Sequence, residues 1–375
     1  MDLAFTEEQE AVRGLAREIF AGHTTQDRLK EVEAGPERVD RALWSELSRA
    51  NLLGAGIAED KGGIGGGLIE LCLLLEQAGA TVAPVPLWET LVLGAQPLAR
   101  FGANGQHRAL LERVIGGDAF MTAALAEPNS DDPRRPATTA AWEGDAWRLQ
   151  GTKTSVPGAH LAERVVTPAI ADGGEPGLFL LDPRAVGVDA QPQRVTSGEI
   201  AAQLELDGAA VPEDDVLVES GSEPEAIGWL HDRALVGLCA LQVGCAERAL
   251  QITAEYLSSR EQFGRPLAKF QAVQQRVADC YIDVEAMRWT LWEAAWRLDE
   301  GLPATQEVAV AKFWAADGGH RVLAAAQHLH GGIGVDVEYP LHRYTLRGKQ
   351  AELTLGGANL QLARLGSRMA AEGVQ

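Results

Sequence analysis

The sequence predicts an α+β chain made of three consecutive segments: helical, then strand and turn, then helical again. Two observations carry this. Apolar residues recur at helical spacing over residues 1–118 and again over 224–375, whereas residues 119–223 break into short apolar runs separated by turn clusters. The segments follow one another in blocks rather than alternating as βαβ units, which means separate layers. With 375 residues the chain is long enough for two or three domains with cores of their own.

In the first segment Thr6-Glu7-Glu8-Gln9 matches a capping box, in which a hydroxyl and a carboxamide satisfy the first free N–H groups of a helix. Val12, Leu15, Ala16, Ile19 and Phe20 then share one helical face. A second helix is expected near Asp40–Asn51, with Leu43, Trp44 and Leu47 inward. The run Gly62-Gly63-Ile64-Gly65-Gly66-Gly67 breaks the chain, and helices resume at Leu68–Ala78, Leu87–Phe101 and Gln106–Ile115. In the middle segment Phe120–Leu125, Trp147–Leu149, Arg164–Ile170, Leu178–Leu181 and Gln203–Leu206 read as strands. Turns are expected at Asn129–Pro133, Asp172–Pro176 and Asp207-Gly208, giving a small barrel or sandwich.

In the third segment Phe270, Val273, Val277, Cys280, Val284, Met287 and Leu291 step by three and four without a slip, the seam of an antiparallel bundle. Leu238, Leu241, Cys245, Ala249, Ile252 and Tyr256 give a second apolar face. A third helix, from about Thr305 to Leu329, is rich in Ala and Gly. Trp289, Trp292 and Trp296 on one helix side fit core or interface packing.

The net charge of −20, with no dense Lys/Arg run, argues against nucleic acid and anionic membrane as partners. No apolar run reads as a membrane span, and the N-terminus is acidic and helix-like, so no secretory signal is expected. Four scattered cysteines without a CxxC pair fit buried thiols in a reducing cytoplasm. There is no GxGxxG after a strand, no P-loop spacing, no GxSxG and no HExxH. His328, His330 and His342 lack a third ligand at matching spacing, so no metal site is expected.

Two stretches are more specific. One is Ser259-Arg260-Glu261-Gln262-Phe263-Gly264-Arg265-Pro266-Leu267 followed by Lys269-Phe270-Gln271; the other is His328-Leu329-His330-Gly331-Gly332-Ile333-Gly334. An arginine there offers a fixed fork of donors suited to a pyrophosphate, Phe263 a flat face, and Gly264 a turn free of Cβ strain. Gly331 and Gly332 remove side chains where a phosphate-bearing ligand could approach the backbone. Taken singly, each element also fits a surface ion pair or a helix C-cap.

Both stretches resemble the acyl-CoA dehydrogenase family, with its R-x-Q-F-G-x-P-L block and, about sixty residues later, its Q-x-x-G-G-x-G block. The resemblance covers the whole chain and implies an N-terminal helical domain over 1–118, a middle β-barrel domain over 119–223 and a C-terminal four-helix bundle over 224–375. It implies FAD as cofactor and an acyl-CoA as substrate. Arg260, Gln262, Phe263, Gly264, His328, Gly331, Gly332 and Gly334 would contact FAD held mainly by a neighbouring subunit. An electron-transfer flavoprotein would be the acceptor.

The departures from the family pattern cluster. The two family positions for the catalytic Glu are Gly356 and Ala234, neither of which accepts a proton. Asp232 is two residues from the second, about 200° round a helix. The T-E-P-x-x-G-S-D loop that supports flavin appears as Ala126-Glu127-Pro128-Asn129-Ser130-Asp131-Asp132, and Ser155 stands near the flavin-packing aromatic position, followed by Pro157. His328 replaces the usual Gln. The resemblance therefore points to a base-less subunit in an α2β2 heterotetramer, of the kind that degrades steroid side chains in actinobacteria. Two alternatives stay open: a self-sufficient enzyme with a relocated base such as Asp232 or Glu247, and a flavin-free scaffold.

Overall fold

A computed structural model of the chain describes residues 4–130 and 132–372. The helices α1 (Glu7–His23), α2 (Gln26–Ala34), α3 (Arg41–Arg49), α4 (Leu68–Ala80), α5 (Gln96–Phe101) and α6 (Gly105–Ile115) come first. Strands β1 (Met121–Ala123), β2 (Thr139–Trp142), β3 (Ala146–Pro157), β4 (Arg164–Ala171), β5 (Pro176–Leu181), β6 (Val188–Arg194), β7 (Ile200–Pro212) and β8 (Val216–Val218) follow. Then come α7 (Ala226–Ser259), the short strands β9 (Glu261–Gln262) and β10 (Arg265–Pro266), α8 (Gln271–Asp299), α9 (Thr305–His330), α10 (Leu341–Leu353) and α11 (Ala358–Glu372). The residues form two compact units, each drawn from separate stretches of chain. One comprises residues up to Leu29, Leu71–Ala83 and everything from Leu235; the other comprises Lys30–Glu70 and Pro84–Ala234.

The first unit is helical. The α1 capping box forms as expected: the Gln9 N–H donates to Thr6 Oγ1 and the Thr6 N–H to Gln9 Oε1. On α7 the expected face is buried from Leu238 to Ile252. The α8 seam is buried only from Cys280 onward, while Val273 and Val277 stay half-buried. Trp292 meets Phe5 edge-on at 5.0 Å, whereas Trp289 is exposed. Small residues bring helices close. A Cβ at Gly79 would lie 2.1 Å from the Leu241 carbonyl oxygen and one at Gly244 1.9 Å from that of Glu76, so α4 and α7 touch backbone to backbone. Arg288 on α8 bridges Glu76 at 2.6 Å and Glu247 at 3.1 Å. By length and composition α7 could cross a membrane, a property the apolar runs alone do not reveal, but 78% of its most apolar window is buried in the protein.

The second unit contains the sheet, paired in the order β6-β7-β3-β2-β4-β5-β8, with β1 on β4. Leu149 and Val156 of β3, Val165 and Ala169 of β4, Phe179 and Leu181 of β5, and Leu204 and Leu206 of β7 share one core, so the sheet wraps round an interior. Here α3 starts on Asp40, whose carboxylate accepts the Ala42 and Leu43 N–H groups. Residues Trp88–Ala95 form a buried π-helical turn rather than the plain helix expected. The turn expected at Asp207-Gly208 is not there: β7 runs straight through it. Gly208, at φ +66°, is the extra residue of a bulge opposite Leu149 and Gln150, because a left-handed glycine serves a bulge as well as a turn. Strands β2, β6 and β8 carry no apolar signal long enough to read. β6 is an exposed edge strand with Pro192 in it.

A charged pair lies inside this unit. Lys153 on β3 donates to Glu127 at 2.6 Å and to the Pro168 carbonyl at 2.7 Å, with both side chains buried. Glu127 also accepts from the Ala137 and Thr138 N–H groups and the Thr138 hydroxyl, which ties the loop after β1 to the sheet. Burial pushes Glu127 up, but Lys153 and these donors outweigh it and hold the carboxyl below its ordinary range. Replacing Glu127 by Gln leaves Lys153 buried without a counter-charge and is expected to destabilise the chain by about 3–5 kcal/mol. For a lowered carboxyl the contribution is complete above the ordinary carboxylate range and lost as pH falls through the lower folded value. Thermal melts from pH 7 to 3 should therefore show a shallower acid-side decline in Glu127→Gln than in wild type.

Candidate functional site

The two sequence blocks come together at one end of the helical unit. α7 ends at Ser259, and the Arg260 N–H donates to the Tyr256 carbonyl at 2.8 Å. The chain then makes a two-residue hairpin, with Gln262 opposite Arg265 and Glu261 opposite Pro266. Its tip is Phe263 at φ +53° and Gly264 at φ +76°, the paired positive angles that a tight hairpin turn requires. Glycine takes such angles freely; a phenylalanine held there costs about 1–2 kcal/mol. Phe263 is nonetheless 90% exposed, touching only the edge of Phe270 at 6.1 Å between centroids. Arg265 lies over the Phe270 ring at 4.1 Å. Arg260 is exposed and has no ion pair among the described residues. Gln262 turns its amide back to the Glu261 carbonyl.

One turn of helix before Arg260, Tyr256 stacks on His330 with centroids 4.4 Å apart and planes 19° apart. His330 is the last residue of α9 and precedes the glycine turn, so the hairpin and the turn are fastened through these two rings. His330 Nδ1 lies 2.8 Å from the Ala326 carbonyl and Nε2 3.1 Å from the Tyr339 hydroxyl. His328, one of the expected contact residues, is exposed on the last turn of α9.

The glycines of the turn divide by role. Gly331 (φ +65°) commits its N–H inward, to the Gln327 and His328 carbonyls, so the open approach expected of it rests on the missing side chain alone. Gly332 is exposed, and a Cβ there would meet nothing within 4 Å. Gly334 is buried, and its Cβ would lie 2.9 Å from the Gln327 carbonyl oxygen, so the turn needs it for packing.

At neither of the two positions where the resemblance led us to expect the base could a carboxylate enter without rearrangement. Ala234 is fully buried on α7, and its carbonyl accepts the Trp88 indole N–H at 2.9 Å. Gly356 has φ +100°, and a Cβ there would lie 2.3 Å from Leu360 Cδ2. Lys312, fully buried, donates to the Ala351 and Glu352 carbonyls and so caps α10 just before that turn. Burial pulls this lysine down to about 8. The nearby carboxylates are engaged elsewhere. Asp232 lies 3.6 Å from His231 Nδ1, Glu247 pairs with Arg288, and Glu352 holds Lys349 at 2.6 Å and His320 at 3.3 Å. Ser155 sits exposed at a bulge of β3, at φ +51°, with its N–H on Gln193 Oε1. Of the loop before it, Asp131 lies outside the described residues.

The sequence singled out Arg260, Phe263 and the glycines but not Tyr256 and Tyr339, which join them to each other; only the aromatic spacing around the two blocks could have flagged them. Two stability measurements test these roles on the chain alone. Gly334→Ala should destabilise by about 1–3 kcal/mol through overpacking, while Gly332→Ala stays within about 0.5 kcal/mol. Phe263→Asn, relieving the left-handed strain, should raise stability by about 1 kcal/mol in denaturant melts.

Two family models match the chain. "Acyl-CoA dehydrogenase, N-terminal domain" covers residues 6–118 and "Acyl-CoA dehydrogenase, C-terminal domain" residues 230–370. "Acyl-CoA dehydrogenase FadE27" of Mycobacterium tuberculosis is 39% identical over 99% of both chains. Among solved structures, a "Tcur3481-Tcur3483 steroid ACAD" variant is 46% identical with TM-score 0.92, covering 98% of this chain and 99% of that one. The "ChsE4-ChsE5 complex from Mycobacterium tuberculosis" is 39% identical with TM-score 0.93 over the full length of both. FAD is the cofactor of these enzymes, which are oxidoreductases acting on CH–CH bonds. Helical, sheet and helical parts in this order, two motif blocks meeting at one helix end, and similarity running end to end make one statement: the chain belongs to the acyl-CoA dehydrogenase family.

Proposed function

We propose that this chain is the base-less subunit of a heteromeric, FAD-dependent acyl-CoA dehydrogenase. It would act in the cytoplasm on a bulky steroid side-chain acyl-CoA, with an electron-transfer flavoprotein as acceptor. In this reading the chain divides near residues 118 and 223, and its last domain carries the cofactor contact. FAD supplies the hydride acceptor for removing hydrogens from Cα and Cβ of the thioester. The partner subunit supplies the carboxylate that takes the α-proton, a group typically worth ~10²–10⁴-fold in rate.

One asymmetry carries the reading. Arg260 is exposed at the base and Phe263 at the tip of a strained hairpin, as half of a shared site would be, while Gly356 and Ala234 stand where the catalytic carboxylate is expected. Arg260 would lay its guanidinium fork on the pyrophosphate of the partner's dinucleotide. Phe263 offers a ring face, Gln262 and His328 polar contacts, and Gly264, Gly331, Gly332 and Gly334 a close backbone approach. An exposed, unpaired arginine fits an anion from another chain better than it fits this chain's own fold. The ion pair of Glu247 with Arg288 disfavours Glu247 as a relocated base. The heteromeric complexes named among the similar structures support an α2β2 assembly.

Expressed alone, the chain should bind little FAD and show no dehydrogenase activity; co-expressed with its partner it should yield a yellow, active complex. Arg260→Ala in that complex should weaken FAD retention by roughly 10- to 100-fold, the worth of a charge-assisted contact. An active yellow homo-oligomer from this chain alone would overturn the reading.

A further inference from the structure

The glycine turn is held by side chains that the contact residues themselves do not include. Tyr256 stacks on His330, and its hydroxyl donates to the His330 carbonyl at 3.5 Å, so ring and backbone of His330 are both fixed to α7. Tyr339, at the far end of the turn, packs against both rings, 5.2 Å from His330 and 6.4 Å from Tyr256. The hydrogen bonds define the tautomer. A nitrogen facing a carbonyl must donate, so Nδ1 carries the proton toward Ala326 and Nε2 accepts from the Tyr339 hydroxyl. A second proton on the ring would put a charge in a buried site and turn this bond round, with Nε2–H donating to the Tyr339 oxygen and the Tyr339 O–H left without its acceptor.

We propose that Tyr256, His330 and Tyr339 are a positioning unit. With His330 neutral, they hold the Gly331–Val335 turn and the Arg260 hairpin at the spacing a shared dinucleotide requires. The cofactor half of this statement rests on the function proposed above; the turn-holding half stands on the rings alone. His330 is 4% exposed, and its burial pulls the imidazole down from its ordinary range. The titratable neighbours come from several elements. Glu255 on α7 acts on Tyr339, His342 Nδ1 lies 2.7 Å from the Tyr339 carbonyl, and His328 is exposed on α9. None of them is hydrogen-bonded to the His330 ring among the described residues. The sign follows: the neutral-ring arrangement is complete above the ordinary imidazole range and gives way to a buried charged ring as pH falls through the lower value His330 has when buried.

Amide hydrogen exchange over residues 331–335 of the full-length chain, corrected for the intrinsic pH dependence, tests the turn. Tyr339→Phe keeps the ring and removes one hydrogen bond, so the turn should exchange about fivefold faster at neutral pH. The wild-type rate should climb to the variant's as the solution is made acid, while the variant shows no such step. His330→Phe, which keeps stacking, should behave like Tyr339→Phe; if it fails to fold, Tyr339→Phe decides. Equal protection in wild type and Tyr339→Phe, or an acid step shared by both, overturns the proposal. In the native complex, FAD release followed by flavin fluorescence should show the same step in wild type and lose it in Tyr339→Phe. Release insensitive to Tyr339→Phe, with the turn loosened, reduces the unit to a fold element and overturns its positioning role. A wild-type complex without flavin bands would sink the shared-site reading instead, and the exchange experiment still decides whether the rings hold the turn.

Discussion

The stack of Tyr256 on His330 is the contact on which the rest of this end of the molecule depends. Two helices of very different sequence position, α7 and α9, finish side by side, and each is followed by a segment too short to hold itself. A two-residue hairpin in isolation is marginal in water, and a glycine-rich turn has nothing of its own to pack. Both borrow rigidity from the ring pair between them. Behind it, Cys245, Ala249 and Ile252 of α7 pack with Leu323 and Ala326 of α9 and with Leu341 and Tyr344 of α10. The Tyr344 hydroxyl in turn donates to the Ala80 carbonyl at the end of α4. A solid apolar base thus carries an exposed, polar and strained tip.

Much of this was legible in the sequence where a local rule has only one outcome. The capping box at Thr6, the α7 face and the approximate spans of α4 and α6 all followed from spacing. The two motif blocks were legible as chemistry. Their meeting was not, because stacking between residues 74 apart leaves no periodic trace. The sheet was half visible. Strands with buried apolar runs, β4 and β5, could be read, whereas β6 has an exposed pattern with Pro192 and is held only by its pairing with β7. At Asp207-Gly208 the local rule gave the wrong outcome, since the same glycine conformation closes a turn or opens a bulge, and only the partner strand decides.

The loop and strand expected to support flavin carry ordered structure of their own. Glu127, which keeps the expected loop's acidic residue, pairs with Lys153 and takes three further donors, and β3 bulges at Ser155. At Ala234 the backbone carbonyl is occupied by the Trp88 indole. Such pairs are locally satisfied, so the chain folds around them without a ligand, whereas the hairpin tip holds a large aromatic side chain both strained and 90% exposed.

The turn at Gly356 carries a consequence for the history of the chain. With φ +100° and Leu360 against the missing Cβ, a single codon change to glutamate would meet both a backbone that L-residues avoid and a methyl group already in its space. Leu360 would have to shrink and the turn relax before a carboxylate there could be tolerated, let alone used. Closure of neighbours over such a gap works as a ratchet: sterics alone keep an acidic side chain out of this turn, even without selection against it.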